Sequence, residues 1–355
     1  MINLDKNSVV YIASPSIPTG GAKSLHQLAN KLVSFGIDTK VFYYMNGEFT
    51  GDKEVLFPFC NAEVVLEEDI CDCEDNLLII PEVQGDLIRR FNKLRKCIWW
   101  LSLDFYLDNS LIGITKNSLK RRNLPCWVAP VIFMKHLFKD HDQFFPSKCL
   151  TKRELSSVYH MYNCHYIKEY LKNKGVPENR MSYLCGPLED KYLNVDFETV
   201  MKYKKNVVIY NPAKMNKSFF SNLQKEFINM GRDIKFVPII NMDRNQVYET
   251  VRSAKVYIDF GFFPGPERMP REAVALYCNI ITSLDGSAEN DIDVPIPRNF
   301  KFDIREKHSV FEVSRLIIDM LDDYKEYVHF GDKYRQKVWN QIQFFDQTVS
   351  EIFVR

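Results

Sequence analysis

The chain has no apolar run approaching the ~20 residues needed to cross a bilayer. Its opening, MINLDKNSVVYIAS, lacks the basic region, long apolar stretch and cleavage site of a secretory signal. A cytoplasmic location is therefore expected, with at most peripheral contact at the cytoplasmic face of the inner membrane. Charge of one sign is also missing: 47 Lys and Arg stand against 46 Asp and Glu, so no global field draws the protein to nucleic acid. Nine cysteines include no CxxC pair, and Cys97, Cys164, Cys185 and Cys278 sit inside apolar runs as small core residues do in a reducing compartment. Cys71 and Cys73, in EEDICDCEDN, have no histidine or second pair nearby and read as a solvated acidic loop rather than a metal or redox pair. The seven histidines, His141 among them, form no ligand spacing, so no metal is expected. No short fixed period recurs, which excludes a solenoid.

What is present is an ordinary globular composition, 46% hydrophobic and 26% charged, on a chain of 355 residues, long enough for two domains. Val9 to Ser14 reads as a strand, PSIPTGGAKS as a loop, Ser24 to Phe35 as a helix ended by Gly36, and Thr39 to Tyr44 as the next strand. Pro18, Thr19, Gly20, Gly21 and Ala22 would then lie at a helix N-terminus, where free N–H groups favour an anion, although a plain tight turn has the same composition. Apolar runs at 77–80, 98–101, 158–162 and 181–184 predict further strands of a parallel sheet, with helices over 85–96 and 167–174. The expected division is 1–187, a charged connection 188–205, a second α/β domain 206–332, and a terminal helix 333–355. A cleft between two such sheets is a favoured ligand site.

The segment Ala254 to Ser283, AKVYIDFGFFPGPERMPREAVALYCNIITS, carries the most information. Val256 to Phe260 predict a buried strand, Pro270 suits the first position of a helix running to Leu276, and Cys278 to Thr282 a second strand. The loop between them holds Pro264, Gly265, Pro266, Glu267, Arg268, Arg271 and Glu272, at the carboxyl end of its strand, where α/β proteins bind ligands. A rigid turn capped by solvated salt bridges is the plainer alternative. Asn211, Lys214 and Lys217, in YNPAKMNK, follow another strand end and could neutralise a diphosphate. Gly286 and Ser287, in DGSAENDIDVP, could lie against a phosphate or a base, whereas Asp291 and Asp293 read as a loop rather than a metal-holding D-x-D. His26, one turn into the glycine-loop helix, reads as structural. The stretch Lys116 to Phe145 mixes basic and aromatic residues, as either a packed helix pair with solvated lysines or a segment resting on anionic lipid.

Taken together, GGAKSLHQLA, the two α/β halves, the strand, loop and helix with REA, and the terminal helix resemble a glycosyltransferase of the GT-B fold, most similar to retaining nucleotide-sugar transferases of bacterial surface polysaccharide (capsule or O-antigen) synthesis. The resemblance implies two Rossmann-like domains facing a central cleft, a terminal helix crossing back to the first, and metal-independent sugar transfer from a nucleotide-sugar co-substrate to a hydroxyl of a glycan or lipid-linked acceptor, without a bound cofactor. In that family two glutamates eight positions apart border the donor, the second bound to ribose; Glu272 matches the second, while the first falls at Pro264, so that either Glu267 substitutes from another point of the loop or the loop belongs to a divergent subgroup marked by D-F-G-x-x-P-G-x-x-R-x-P-R-E-A. Lys214 or Lys217, with Arg268, matches the phosphate-holding cations, and Gly20 and Gly21 would lie near diphosphate or acceptor. A nucleotide-sugar epimerase of the same fold, or a catalytically silent nucleotide-sugar binder, are the alternatives.

Overall fold

Runs of Val, Ile, Leu and aromatic residues without alternation form strands buried on both faces, the pattern of parallel sheets. In the computed structural model, which describes residues 2, 4–45, 47–122, 124–139, 144 and 148–354, these runs build two sheets in two units, Met1–Pro187 with Ile342–Arg355, and Leu188–Gln341. His141 and Phe145 lie outside the described residues.

The first unit holds strands β1 (Val10–Pro15), β2 (Thr39–Met45), β3 (Glu48–Phe49), β4 (Glu63–Val64), β5 (Leu77–Pro81), β6 (Arg95–Trp100), β7 (Tyr159–Tyr162) and β8 (Met181–Tyr183). Their order is β3-β2-β1-β5-β6-β7-β8, with β4 also on β2, and every pair is parallel except β2 with β3. Helix Gly20–Ser34 packs Leu25, Leu28, Ala29 and Leu32 onto this sheet. The carboxyl-terminal helix Gln341–Phe353 adds Phe345, Val349, Ile352 and Phe353 to the same core; Lys31 pairs with Asp346 at 2.7 Å, and Ile2 N–H donates to Ile352 O at 2.9 Å.

The second unit holds β9 (Lys205–Tyr210), β10 (Lys235–Pro238), β11 (Ala254–Asp259), β12 (Asn279–Ser283) and β13 (Lys301–Phe302), all parallel in the order β10-β9-β11-β12-β13. Residues at the start of this unit pack on its core, with Leu188 and Tyr192 buried there.

Three local expectations are corrected. The helix after β1 starts at Gly20 rather than Ser24, because the Thr19 hydroxyl accepts from Ala22 N–H and caps it four residues earlier; both glycines are helical. The stretch expected as a helix over 85–96 is a 3₁₀ segment, Glu82–Arg89, and the chain is already extended at Arg95, where β6 pairs with β5. The helix expected from Pro270 begins at Arg268; proline in a first turn forfeits no helical hydrogen bond, since those N–H groups have no partner within the helix. His26 is buried, its ring nitrogens 2.7 Å from Ala22 O and 2.8 Å from the Tyr43 hydroxyl. Cys97, Cys164, Cys185 and Cys278 are buried and reduced.

Candidate functional site

The strand ends of the second sheet gather most of the residues singled out from the sequence. Asn211, just after β9, builds the turn that carries Lys214: its side-chain oxygen accepts from Ala213 N–H at 3.0 Å, and its carbonyl accepts from Lys214 N–H at 3.1 Å. The Lys214 stem then lies across Gly261, where a Cβ would stand 2.6 Å from Lys214 Cβ, so glycine is required for the lysine to pass. Lys214 Nζ donates to Phe262 O at 3.1 Å, forms an ion pair with Glu267, and lies 5.2 Å from the Phe263 ring centre.

Asp259, the last residue of β11, is buried beneath this lysine. It accepts from the Tyr257 hydroxyl at 2.8 Å and from Gly261 N–H at 3.1 Å. Burial pushes its carboxyl above the usual range, opposed by the charge of Lys214. Burial also raises Glu267, with Lys214 again pulling the other way.

Helix Arg268–Ala275 supplies a second charged set. Arg268 and Glu272, one turn apart, form an ion pair, and Arg268 reaches Glu189 at 3.0 Å. Glu272 is only 1% exposed. Arg271 is buried and turned toward Gln341 Oε1 at 2.9 Å and Glu267 O at 3.3 Å, which ties the helix start in place. Pro264 and Gly265 are buried, and the Ser287 hydroxyl donates to Gly265 O at 2.7 Å while its N–H donates to Phe263 O at 2.9 Å. Gly286 has a φ of +56°, and a Cβ there would meet Phe263 O at 2.0 Å. Gly286 and Ser287 thus lock the loop from beneath.

Lys214, Glu267, Arg268, Glu272, Pro264, Gly265, Arg271, Gly286 and Ser287 are therefore drawn together around one loop, while Lys217 is exposed on the first turn of helix Lys217–Asn229, outside this cluster. Gly20 and Gly21 belong to the first unit, at the N-terminus of its first helix. Asp291 pairs with Lys301 at 2.8 Å and Asp293 accepts from Asn290 at 2.9 Å, so local partners hold both carboxylates. Among the described residues no three His, Cys, Asp or Glu side chains are grouped to hold a metal.

Sequence reading missed Asp259, Tyr257 and Glu189. An acid closing an apolar strand just before Gly261 is a usable signal for Asp259, whereas Glu189, 79 positions from Arg268, gives none.

No protein-family model matches the sequence, and no curated protein does either. Solved structures match over nearly the whole chain. Sucrose-phosphate synthase from Thermosynechococcus elongatus superposes with a TM-score of 0.61 at 11% identity, covering 98% of each chain. Anabaena HepE, solved with UDP, gives 0.53 at 9% identity over 97% of this chain and 98% of its own. WaaG, a glycosyltransferase of lipopolysaccharide biosynthesis, gives 0.53 at 11% identity over 97% and 99%. The fold is GT-B. At these identities the GT-B likeness extends to architecture alone, and the chemistry rests on the charged loop itself.

Proposed function

We propose that this GT-B chain is a nucleotide-sugar glycosyltransferase that binds its donor at the carboxyl ends of β9, β11 and β12 and passes the sugar, without a metal and with retention, to a glycan or lipid-linked hydroxyl in surface polysaccharide synthesis. The observation that carries this reading is the convergence of Lys214, Arg268, Glu267 and Glu272 on one rigid loop where parallel sheets take their ligands. The HepE structures with UDP and UDP-glucose belong to the same fold and make a nucleoside diphosphate the ligand to test first.

Lys214 and Arg268 are the cations for the donor diphosphate; a carboxylate holds each of them at the strand ends, and the phosphate takes the place of Glu267 on Lys214. Glu272 takes the ribose hydroxyls and orients Arg268. As the nucleotide departs, positive charge develops on the sugar and negative charge on the leaving diphosphate; the two cations stabilise the latter, and an acceptor hydroxyl attacks from the face the nucleotide leaves, giving its proton to the departing diphosphate.

Calorimetry with UDP-, GDP- and CMP-sugars tests the reading. Binding of one donor that is lost in Arg268→Ala and Lys214→Ala, followed by transfer that persists in EDTA and gives a product of unchanged anomeric configuration, is expected. No donor binding, or binding indifferent to both substitutions, overturns it. Release of an epimerised sugar without acceptor would assign the epimerase chemistry instead.

A further inference from the structure

Between Leu111 and Lys139 the chain contains no acidic residue and six basic ones, Lys116, Lys120, Arg121, Arg122, Lys135 and Lys139. Two helices cover this stretch, Leu111–Arg121 and Ala129–Lys139, and Ser118 and His136 meet between them at 3.1 Å. In the second helix only Ile132 is buried. Phe133 and Leu137 are half-buried, but three large apolar side chains of this helix point outward: Val131 is 68% exposed, Met134 45% and Phe138 77%, with Trp127, in the turn before it, 80% exposed and Ile112 of the first helix 65%. Val131, Met134 and Phe138 recur three and four residues apart and form one stripe, continued backwards by Trp127.

Leaving these groups in water forfeits the burial that fills the rest of the molecule, and a contiguous apolar face of this kind marks a contact surface. Its composition selects the partner. Arg121 is engaged by Asp108, just outside the stretch, at 2.7 Å; a tryptophan and a phenylalanine beside exposed lysines, with no carboxylate in the sequence between Leu111 and Lys139, match a bilayer whose apolar interior lies beneath anionic headgroups, where lysine keeps its charged end at headgroup level. A protein groove would offer carboxylates as discrete partners, whereas an anionic lipid surface offers a continuous field, which suits a stretch whose charges are all of one sign.

We propose that the Leu111–Lys139 segment is a peripheral membrane-binding surface that lays Trp127, Val131, Met134 and Phe138 into the headgroup boundary of an anionic phospholipid bilayer. The proposal is independent of the sugar-transfer reading, since the segment belongs to the first unit and contains none of the donor-loop residues.

Trp127 is a built-in reporter, because Trp99 and Trp100 are fully buried and Trp339 is held by Tyr192 O at 3.1 Å. The full chain mixed with phosphatidylglycerol-rich vesicles carrying brominated acyl chains should show quenched tryptophan emission, absent in Trp127→Phe. It should co-sediment with these vesicles but weakly with phosphatidylcholine alone, and lose association as NaCl rises from about 0.1 to about 1 M and the screening length falls about threefold. Val131→Ser with Phe138→Ser should lower vesicle affinity by about tenfold or more, and Lys135→Gln with Lys139→Gln should lower it selectively on anionic vesicles. These positions are exposed, and an unchanged circular dichroism spectrum and melting temperature confirm that the variants are folded. Failure to bind anionic vesicles, binding unaffected by either double variant, or concealment of Trp127 through concentration-dependent self-association in sedimentation velocity would each overturn the proposal.

Discussion

Lys214 and Glu267 hold each other across 53 positions of sequence, so the cation that follows β9 is already engaged by an acid of the 261–272 loop. Under the proposed function, an arriving diphosphate must draw Lys214 away from that carboxylate. Glu267→Gln keeps the shape and removes the competing charge; it should bind UDP roughly fivefold more tightly, the equivalent of about 1 kcal/mol, while Lys214→Ala binds it more weakly than the parent chain. Isothermal titration at low salt reads both. Weaker binding in Glu267→Gln would mean that the carboxylate contacts the ligand directly.

Gly286 separates steric need from backbone preference. Its φ of +56° and the 2.0 Å that would separate a Cβ from Phe263 O make Gly286→Ala costly on both counts, whereas Gly36, at +77°, has nothing within 4 Å of such a Cβ. Gly36→Ala should cost about 1 kcal/mol, Gly286→Ala roughly 2–4 kcal/mol in urea unfolding. Because Ser287 braces Gly265, the second substitution should also abolish nucleotide binding at temperatures where the protein remains folded. Equal costs for the two would show that Phe263 yields freely.

His160 supplies a stability change on the acid side. It is buried, with Nε2 donating to Leu155 O at 2.8 Å and Nδ1 accepting from Trp100 Nε1 at 2.9 Å. Burial lowers its pKa to about 4, although the Leu155 carbonyl opposes the shift. Above about pH 6.5 the neutral ring contributes its full stabilisation; as pH falls toward 4 the unfolded chain takes up the proton first, and roughly 3 kcal/mol is lost. NMR titration of the imidazole should report a midpoint near 4, moving upward in Trp100→Phe. A midpoint near 6.5 in the native protein would refute this.

Glu82 works in the opposite sense. Sealed at the end of β5, it accepts from Leu101 N–H at 2.7 Å and Ser102 N–H at 2.8 Å, and burial raises its pKa to about 7 against the pull of those two donors. The folded chain therefore holds the proton more tightly than the unfolded one, and stability falls by roughly 3 kcal/mol as pH rises from about 4.5 to about 7. Glu82→Gln should remove this part of the pH dependence, at a cost of about 1–3 kcal/mol for the backbone N–H it leaves without an acceptor. Parallel pH–stability curves for parent and variant would exclude Glu82 as the source.

Much of the architecture was legible because parallel strands announce themselves as unbroken apolar runs. VYIAS, LLII and VYIDF could be read without any partner in view. Helix starts were less legible, since a capping side chain such as Thr19 acts through one hydrogen bond that leaves no periodicity. The loop PGPERMPREA could be identified as a charged strand-end loop, but not the pairing within it: Arg268 with Glu272 follows helical spacing, whereas Lys214 with Glu267 and Arg268 with Glu189 join separate segments. The same holds for the basic and aromatic stretch, whose residues were evident while their exposure depended on which face found a neighbour.

The sequence by itself determined the strand and helix alternation, the charge-neutral composition and the special residues of the 261–272 loop, because each of these is a local property of side-chain type and spacing. Only the tertiary structure decided that Asp259 is buried under Lys214, that Ser287 braces Gly265, and that Trp127 and Phe138 face outward, because burial and long-range pairing depend on which distant segments fill the space around a side chain.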